Sequence, residues 1–203
     1  MKTDCSKISE MNFISDLRDY SVFHLNNDSP FIVRGYGTSA VSSEVPDLWA
    51  REWKWFDLSK IFSFDKGRRL TKADSIPGEI PLVTTGRHNQ GVSRCVDNDM
   101  QIFCNCLTID MFGYCVFRDY EFCCDDNILI FKPKKRISSY AMMFLSTVIN
   151  LDGYKCAYGR QYRKKTQMGH RIQLPVTENG EPDFELMERY IKALPYSCNI
   201  REE

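Results

Sequence analysis

Residues 53–94 read WKWFDLSKIFSFDKGRRLTKADSIPGEIPLVTTGRHNQGVSR. Trp53, Trp55 and Phe56 open the stretch as an aromatic-rich strand, and LSKIF reads as one helical turn. FSF continues extended to a basic turn, Lys66-Gly67-Arg68-Arg69. Pro77-Gly78 and Pro81 then punctuate the chain, and IPLVTT is a β-rich run opened by proline. The stretch ends in a small polar loop from Thr84 to Gly91. Aromatic anchors followed by two loops rich in Arg, Thr, Asn and Gln predict a scaffold that presents hydrogen-bonding side chains. No catalytic pair is evident within it.

Short strands and tight turns continue outward. VSRCV and MQIFCNCLTIDMFGYCVF (100–117) read as strands, with Gly113 as a turn or bulge. NILIFKP is a compact buried strand closed by Pro133. One helix interrupts them over SSYAMMFLSTVINL, with Ser138 or Ser139 as N-cap and Met142 and Met143 as core packing. A loop-like stretch follows over 153–171, with six Lys/Arg, no acidic residue, and Tyr154, Tyr158 and Tyr162 at intervals of four. RIQLPV reads as a strand. DFELMERYIKAL is an amphipathic helix with Asp183 as N-cap, ended at Pro195. The pattern divides the chain into an unassigned N-terminal extension (1–50), a sheet-rich domain (51–177) and a C-terminal helix and tail (178–203). Within the extension, MNFISDLRDYSVFHL suggests a short helix and FIVRGYG a short strand.

Composition narrows the class. Hydrophobic residues make up 43% and aromatics 13% of 203 residues, a globular and not a disordered balance. No apolar run approaches the roughly 18 residues of a membrane span. The N-terminus lacks the apolar core of a secretory signal, so cytoplasmic residence is expected. Nine cysteines without any CxxC do not match a zinc site. They are expected to be reduced, buried, small hydrophobes. Net charge is zero but unevenly spread: residues 51–177 carry 20 basic and 13 acidic side chains, while both ends are acidic. A basic centre fits a polyanionic partner.

Enzymatic signatures are weak. His24, His88 and His170 have no metal-like spacing, and no GxSxG, P-loop or GxGxxG is present. A Cys/His dyad is nearly guaranteed by chance among nine cysteines. Asp125-Asp126 reads as a turn before NILIF more readily than as a metal site. Nucleic-acid binding fits better. Lys and Arg neutralise phosphates, and Arg, Asn and Gln can read base edges. The loop at 84–94 holds two Thr, two Arg, one Asn, one Gln and one His. Composition alone supports solvated surface turns equally well.

The order of several pieces decides further. WKWFDLSKIFSFDKGRRLTKAD is followed by GEIPLVTTGRHNQGVSRCV, then NCLTID and GYCVF, then YKCAYGRQ, and finally RIQLPVTENGEPDFELMERYIKALP. This order, over about residues 53–196, resembles the target recognition domain of specificity (S) subunits of type I restriction–modification systems. The LPxxxxGxPDxxxME segment is similar to that of subunits of the type I-like or type IIB kind. The family's Asn-Asn-Gly loop is matched by Asn89-Gln90-Gly91, with the glycine kept.

The resemblance implies an α/β (α+β) fold with a twisted, mainly antiparallel sheet, a few packed helices and a C-terminal helix. It implies a non-catalytic, cofactor-free subunit that reads one half of a bipartite double-stranded DNA target. Such a subunit docks a DNA methyltransferase, which uses S-adenosylmethionine, and through it a restriction endonuclease. One recognition domain would need to homodimerise or pair with a second. The shared Gly67, Leu70, Pro81, Gly91, Gly113, Gly159 and Pro175 are expected to be scaffold. Candidate DNA contacts are the polar residues beside them: Arg68, Arg69, Lys72, Thr84, Arg87, Asn89, Gln90, Arg94, Tyr158, Arg160, Gln161, Arg163, Lys164 and Lys165. The rival readings are a docking subunit that reads no DNA and an enzyme using a Cys or Asp pair.

Overall fold

The computed structural model describes residues 45–194, Met168 excepted, and Ser197, so the helix and strand expected within the first 44 residues lie outside that range. Strand β1 (Trp53–Asp57) runs into a single helical turn, α1 (Leu58–Ile61), and on into β2 (Phe62–Lys66). The long hairpin β3 (Pro77–Val83) and β4 (Val92–Val96) follows. Four further strands are β5 (Cys106–Ile109), β6 (Cys115–Arg118), β7 (Cys123–Cys124) and β8 (Leu129–Pro133). Helix α2 (Ser139–Leu151), the short α3 (Lys164–Gln167), β9 (Arg171–Pro175) and helix α4 (Phe184–Ala193) complete the order.

The strands form three sheets, β1-β9, β2-β8-β5-β6 and β4-β3-β7. Every pairing is antiparallel except β3 with β7. The fold is therefore the mixed, mainly antiparallel α/β arrangement expected.

The central strands of the four-stranded sheet, β5 and β8, are buried on both faces. Leu107, Ile109, Leu129 and Phe131 point to a core shared with Ala141, Leu145 and Ile149 of α2 and Met187 of α4. Cys106 and Ile130 point the other way, to Val83, Phe103, Phe122, Cys124 and Ile128. Two-sided burial is why β5 and β8 read as unbroken apolar runs without alternation. Each fully buried Leu, Ile or Phe contributes roughly 1.5–3 kcal/mol.

The helices start where their caps predict. The Ser138 hydroxyl accepts the Ala141 N–H at 3.3 Å, and Asp183 accepts the Leu186 N–H at 2.9 Å. Leu194 turns extended (ψ 148°), as a residue before proline prefers. Phe144 and Tyr190 meet edge to face, so α4 completes the main core. No described helix is long and apolar enough to cross a membrane.

Two local expectations change, and one further strand, β7, is added. Residues 100–105 make only an isolated bridge, Phe103 with Phe122, because Asn105 turns left-handed (φ 49°) before β5. Strand β7, at two residues, is too short to show a period. The basic stretch contains α3.

Among the cysteines, Cys106, Cys115, Cys123 and Cys124 are buried free thiols. Burial pushes the Cys106 thiol up to about 12 and that of Cys123 to about 11, so both stay protonated and act as small hydrophobes. Cys95 departs from the expectation of reduced thiols, being disulfide-bonded.

Candidate nucleic-acid interface

Strand register gathers distant loops at one sheet end. Lys66 lies opposite Leu129, Leu129 opposite Ile109, and Ile109 opposite Cys115. Val83 lies beside Cys124. The segments 67–69, 84–91, 110–114 and 125–128 therefore all leave from the same end.

Asp110 binds two of them together. One carboxylate oxygen accepts the N–H groups of Phe112 and Tyr114, both at 2.9 Å. The other accepts the N–H of Gly86 at 3.3 Å. The Arg87 guanidinium lies over the Tyr114 ring, 5.5 Å from its centroid. The same turn reaches the basic stretch, since Tyr162 donates its N–H to the Met111 carbonyl at 2.8 Å. Two loops about 70 residues apart in sequence thus share one mount.

The polar loop has an unusual backbone. Asn89, Gln90 and Gly91 follow one another in the left-handed region, with φ of 46°, 53° and 84°. For side chains other than glycine this costs roughly 1–2 kcal/mol per residue. The turn is closed by the Thr84 N–H on the Gly91 carbonyl (2.8 Å) and the Gln90 N–H on that of Arg87 (3.2 Å). The Val92 N–H takes the Asn89 carbonyl. A Cβ at Gly91 would stand 2.7 Å from the Thr84 carbonyl oxygen, so glycine is required there. Arg87 and His88 are exposed, and Thr84 and Asn89 are half-buried. Gln90 is only 8% exposed.

Arg118 supports this loop from below. It is 1% exposed and donates to Thr108 Oγ1 (3.0 Å), the Tyr120 hydroxyl (2.5 Å) and the Gln90 carbonyl (2.5 Å). Its guanidinium also lies over the rings of Phe122 and Tyr120.

The basic stretch divides into exposed and buried parts. Ala157 and Arg160 bridge to make a hairpin whose tip carries Tyr158, 84% exposed. Arg160, Lys164 and Lys165 are exposed. Arg163 donates to Asn127 (3.1 Å) and Gln161 (3.0 Å), which fastens the stretch to the loop before β8. Tyr162, third of the evenly spaced tyrosines, is buried instead. Its hydroxyl bonds His170 Nδ1 at 2.8 Å, and His170 Nε2 meets Asp152 at 3.2 Å. Burial pulls the His170 pKa down, against the hydrogen bond to Asp152.

Other candidates stand apart. Arg94 donates to Ser75 (2.8 Å) and to the Thr71 carbonyl (3.4 Å), pinning the 71–75 segment against β4. Lys72 lies exposed on that segment. The guanidinium of Arg68 donates to the Asp99 carbonyl, while Arg69 is exposed beside it. The turn they share is pressed on the sheet end: a Cβ at Gly67 would stand 2.2 Å from the Asp125 carbonyl oxygen.

Asp125 and Asp126 form the expected turn, with the Ile128 N–H on the Asp125 carbonyl at 3.1 Å. Among the described residues no group of three or more His, Cys, Asp and Glu is placed to hold a metal. Three buried polar atoms have no partner among the described residues: Thr85 Oγ1, Asp126 Oδ1 and Gln167 Nε2. Two sit at this sheet end and the third on α3 of the basic stretch.

The residues that sequence reading passed over are Asp110, Tyr114 and Arg118. Two signals were present. Asp110 stands three residues before Gly113, an Asx-turn pattern. Arg118 closes an otherwise apolar strand.

Mainly antiparallel sheets that carry polar and basic loops at one end are the fold of a known class. The chain belongs to the type I restriction modification DNA specificity domain family, whose model matches residues 50–199. It is similar to the specificity subunit S.BcgI of a type II restriction enzyme from Heyndrickxia coagulans. The two are 30% identical over 154 residues, covering 73% of this chain and 45% of that protein. Two solved structures share the fold. The S subunit of a type I restriction–modification system from M. genitalium aligns with a TM-score of 0.53 at 13% identity, over 75% of this chain and 40% of that one. The HsdS subunit from Thermoanaerobacter tengcongensis aligns at 0.50 and 12% identity, over 79% and 41%. The chain thus spans less than half the length of these relatives.

Proposed function

We propose that this domain reads one half-site of a bipartite duplex DNA target through the loops at this sheet end. The observation that carries the reading is the joint at Asp110, which fastens the polar loop 84–91 and the basic stretch 153–167 to one turn. Arg87, exposed, and Asn89 and Thr84, half-buried, have the chemistry to read base edges. Arg160, Lys164 and Lys165 present cations beside them for phosphates, with Arg163 and Gln161 bracing their segment and Tyr158 at the tip. Gln90 supports the loop from within. Arg69, Lys72, Arg68 and Arg94 lie at the edge of the surface as outer phosphate contacts or braces.

In this reading the chain performs no chemistry and needs no cofactor. It directs a DNA methyltransferase and a restriction endonuclease, and a second copy or a second recognition domain reads the other half-site. Cytoplasmic residence accords with that role. Duplex binding by the full chain should weaken steeply with salt, with a log–log slope of about −0.9 per phosphate contacted. A flat salt response would sink the proposal. So would equal affinity for every sequence in a randomised duplex pool.

A further inference from the structure

Arg118 is a buried cation whose hydrogen-bond acceptors among the described residues include no carboxylate. Burying a guanidinium without a counter-charge is costly, so its position calls for a reason. The three left-handed residues above it suggest one. In that turn the carbonyls of Arg87, Asn89 and Gly91 each accept a backbone N–H. The carbonyl of Gln90 points inward and takes the Arg118 Nη2 at 2.5 Å. The other two donors are fixed by Thr108 and Tyr120, and the aromatic rings of Phe122 and Tyr120 hold the plane of the guanidinium. The donor is therefore fixed by contacts outside the loop that it supports. A glutamine at φ 53° has no intrinsic preference for that conformation.

We infer that Arg118 is a positioning residue for sequence recognition: it holds Asn89 and Gln90 left-handed, and so sets the direction in which Arg87 and Asn89 face the DNA. It touches no nucleotide itself. The inference rests on the reading of this surface as a DNA reader. A guanidinium is required because lysine, a point charge with no planar fork, cannot serve Thr108, Tyr120 and Gln90 in three fixed directions.

The test uses the full chain and a pool of duplexes with a randomised window. Wild-type protein should enrich a motif. Arg118→Lys should lower the ratio of affinity for that motif to affinity for random duplex by about tenfold, the cost of misplacing one well-oriented base reader. Affinity for random duplex and its salt slope should stay unchanged, since every phosphate remains neutralised as before. Adding Gln90→Gly, which adopts positive φ without cost, should return most of the preference. A role in general stability would instead lower the melting temperature and the affinity for random duplex together with the preference. Thermal melting of each variant confirms that the folded state is being compared. If wild type enriches a motif and Arg118→Lys keeps the full preference, or the glycine restores none of it, the positioning role is overturned. If wild type enriches nothing, the DNA reading itself fails.

Discussion

The carboxylate of Asp110 accepts the backbone N–H of Gly86 at 3.3 Å, joining residues 24 positions apart. Its other oxygen holds the turn to Tyr114. Asp110→Asn keeps the second set of bonds if its remaining oxygen stays there, but turns an amide N–H toward that of Gly86. Leaving a buried donor unpaired costs about 1–3 kcal/mol. Urea unfolding should show a loss of that size, and amide exchange at 84–91 should accelerate while that of β5 does not. Unchanged exchange at 84–91 would remove Asp110 from its role as the joint.

Cations of the basic stretch and side chains of the polar loop should separate in solution. Replacing Arg160, Lys164 and Lys165 by Ala should weaken binding to all duplexes and flatten the salt slope by about 0.9 for each phosphate left without its cation. Replacing Arg87 or Asn89 by Ala should alter the preferred sequence, at about 1–3 kcal/mol for each bidentate pair with a base. If both sets act alike, the division between phosphate and base contacts is wrong.

His170 gives a pH signature. Burial holds its pKa below the ordinary 6.5, so the unfolded chain binds a proton more readily than the folded one. Its contribution to stability is complete above about 6.5 and is lost as pH falls from there toward the folded value. The groups facing it are the Tyr162 hydroxyl, Asp152 and, on Asp152, Lys155 at 2.6 Å. Wild type should therefore lose urea stability as pH falls below about 6.5 faster than His170→Gln, which cannot titrate. Parallel pH profiles for the two would refute the assignment.

The thiols should react in two classes. Cys104 is exposed, whereas Cys106, Cys115, Cys123 and Cys124 are buried and held protonated by burial. Brief iodoacetamide treatment of native protein should label Cys104 and spare those four, which become labelled only in denaturant. Fast native labelling of a buried cysteine would revive a nucleophilic thiol.

Close approach makes Gly67 irreplaceable. Any Cβ there meets the Asp125 carbonyl oxygen at 2.2 Å. Gly67→Ala should cost more than about 2 kcal/mol, above the usual range of surface substitutions. A melting temperature equal to wild type would contradict the close approach.

Much of this was legible in the sequence wherever a local rule dominates. Asp183 and Ser138 announce their helices through capping chemistry, and IPLVTT and NILIF announce buried strands. The ordered motifs from Trp53 to Ile191 announce the family. What sequence could not supply was the meeting of loops, because strand register decides it and register is a long-range property. Tyr162 shows the limit well. Its spacing from Tyr154 and Tyr158 suggests a matched set, yet the chain reverses at 158–159 and sends Tyr162 inward to His170. Gln90 and Arg118 show another limit. A polar residue in a polar loop is buried, and a charged residue in an apolar strand is its support.

The bonds that mount the polar loop share one property. Asp110 grips the amides of Gly86, Phe112 and Tyr114, and Arg118 grips the carbonyl of Gln90. All four partners are main-chain atoms, indifferent to the side chains that they carry. The loop can exchange its outward residues and keep its shape. On the proposed reading, such a mount would let the domain take a new DNA target without rebuilding the scaffold that carries the loop.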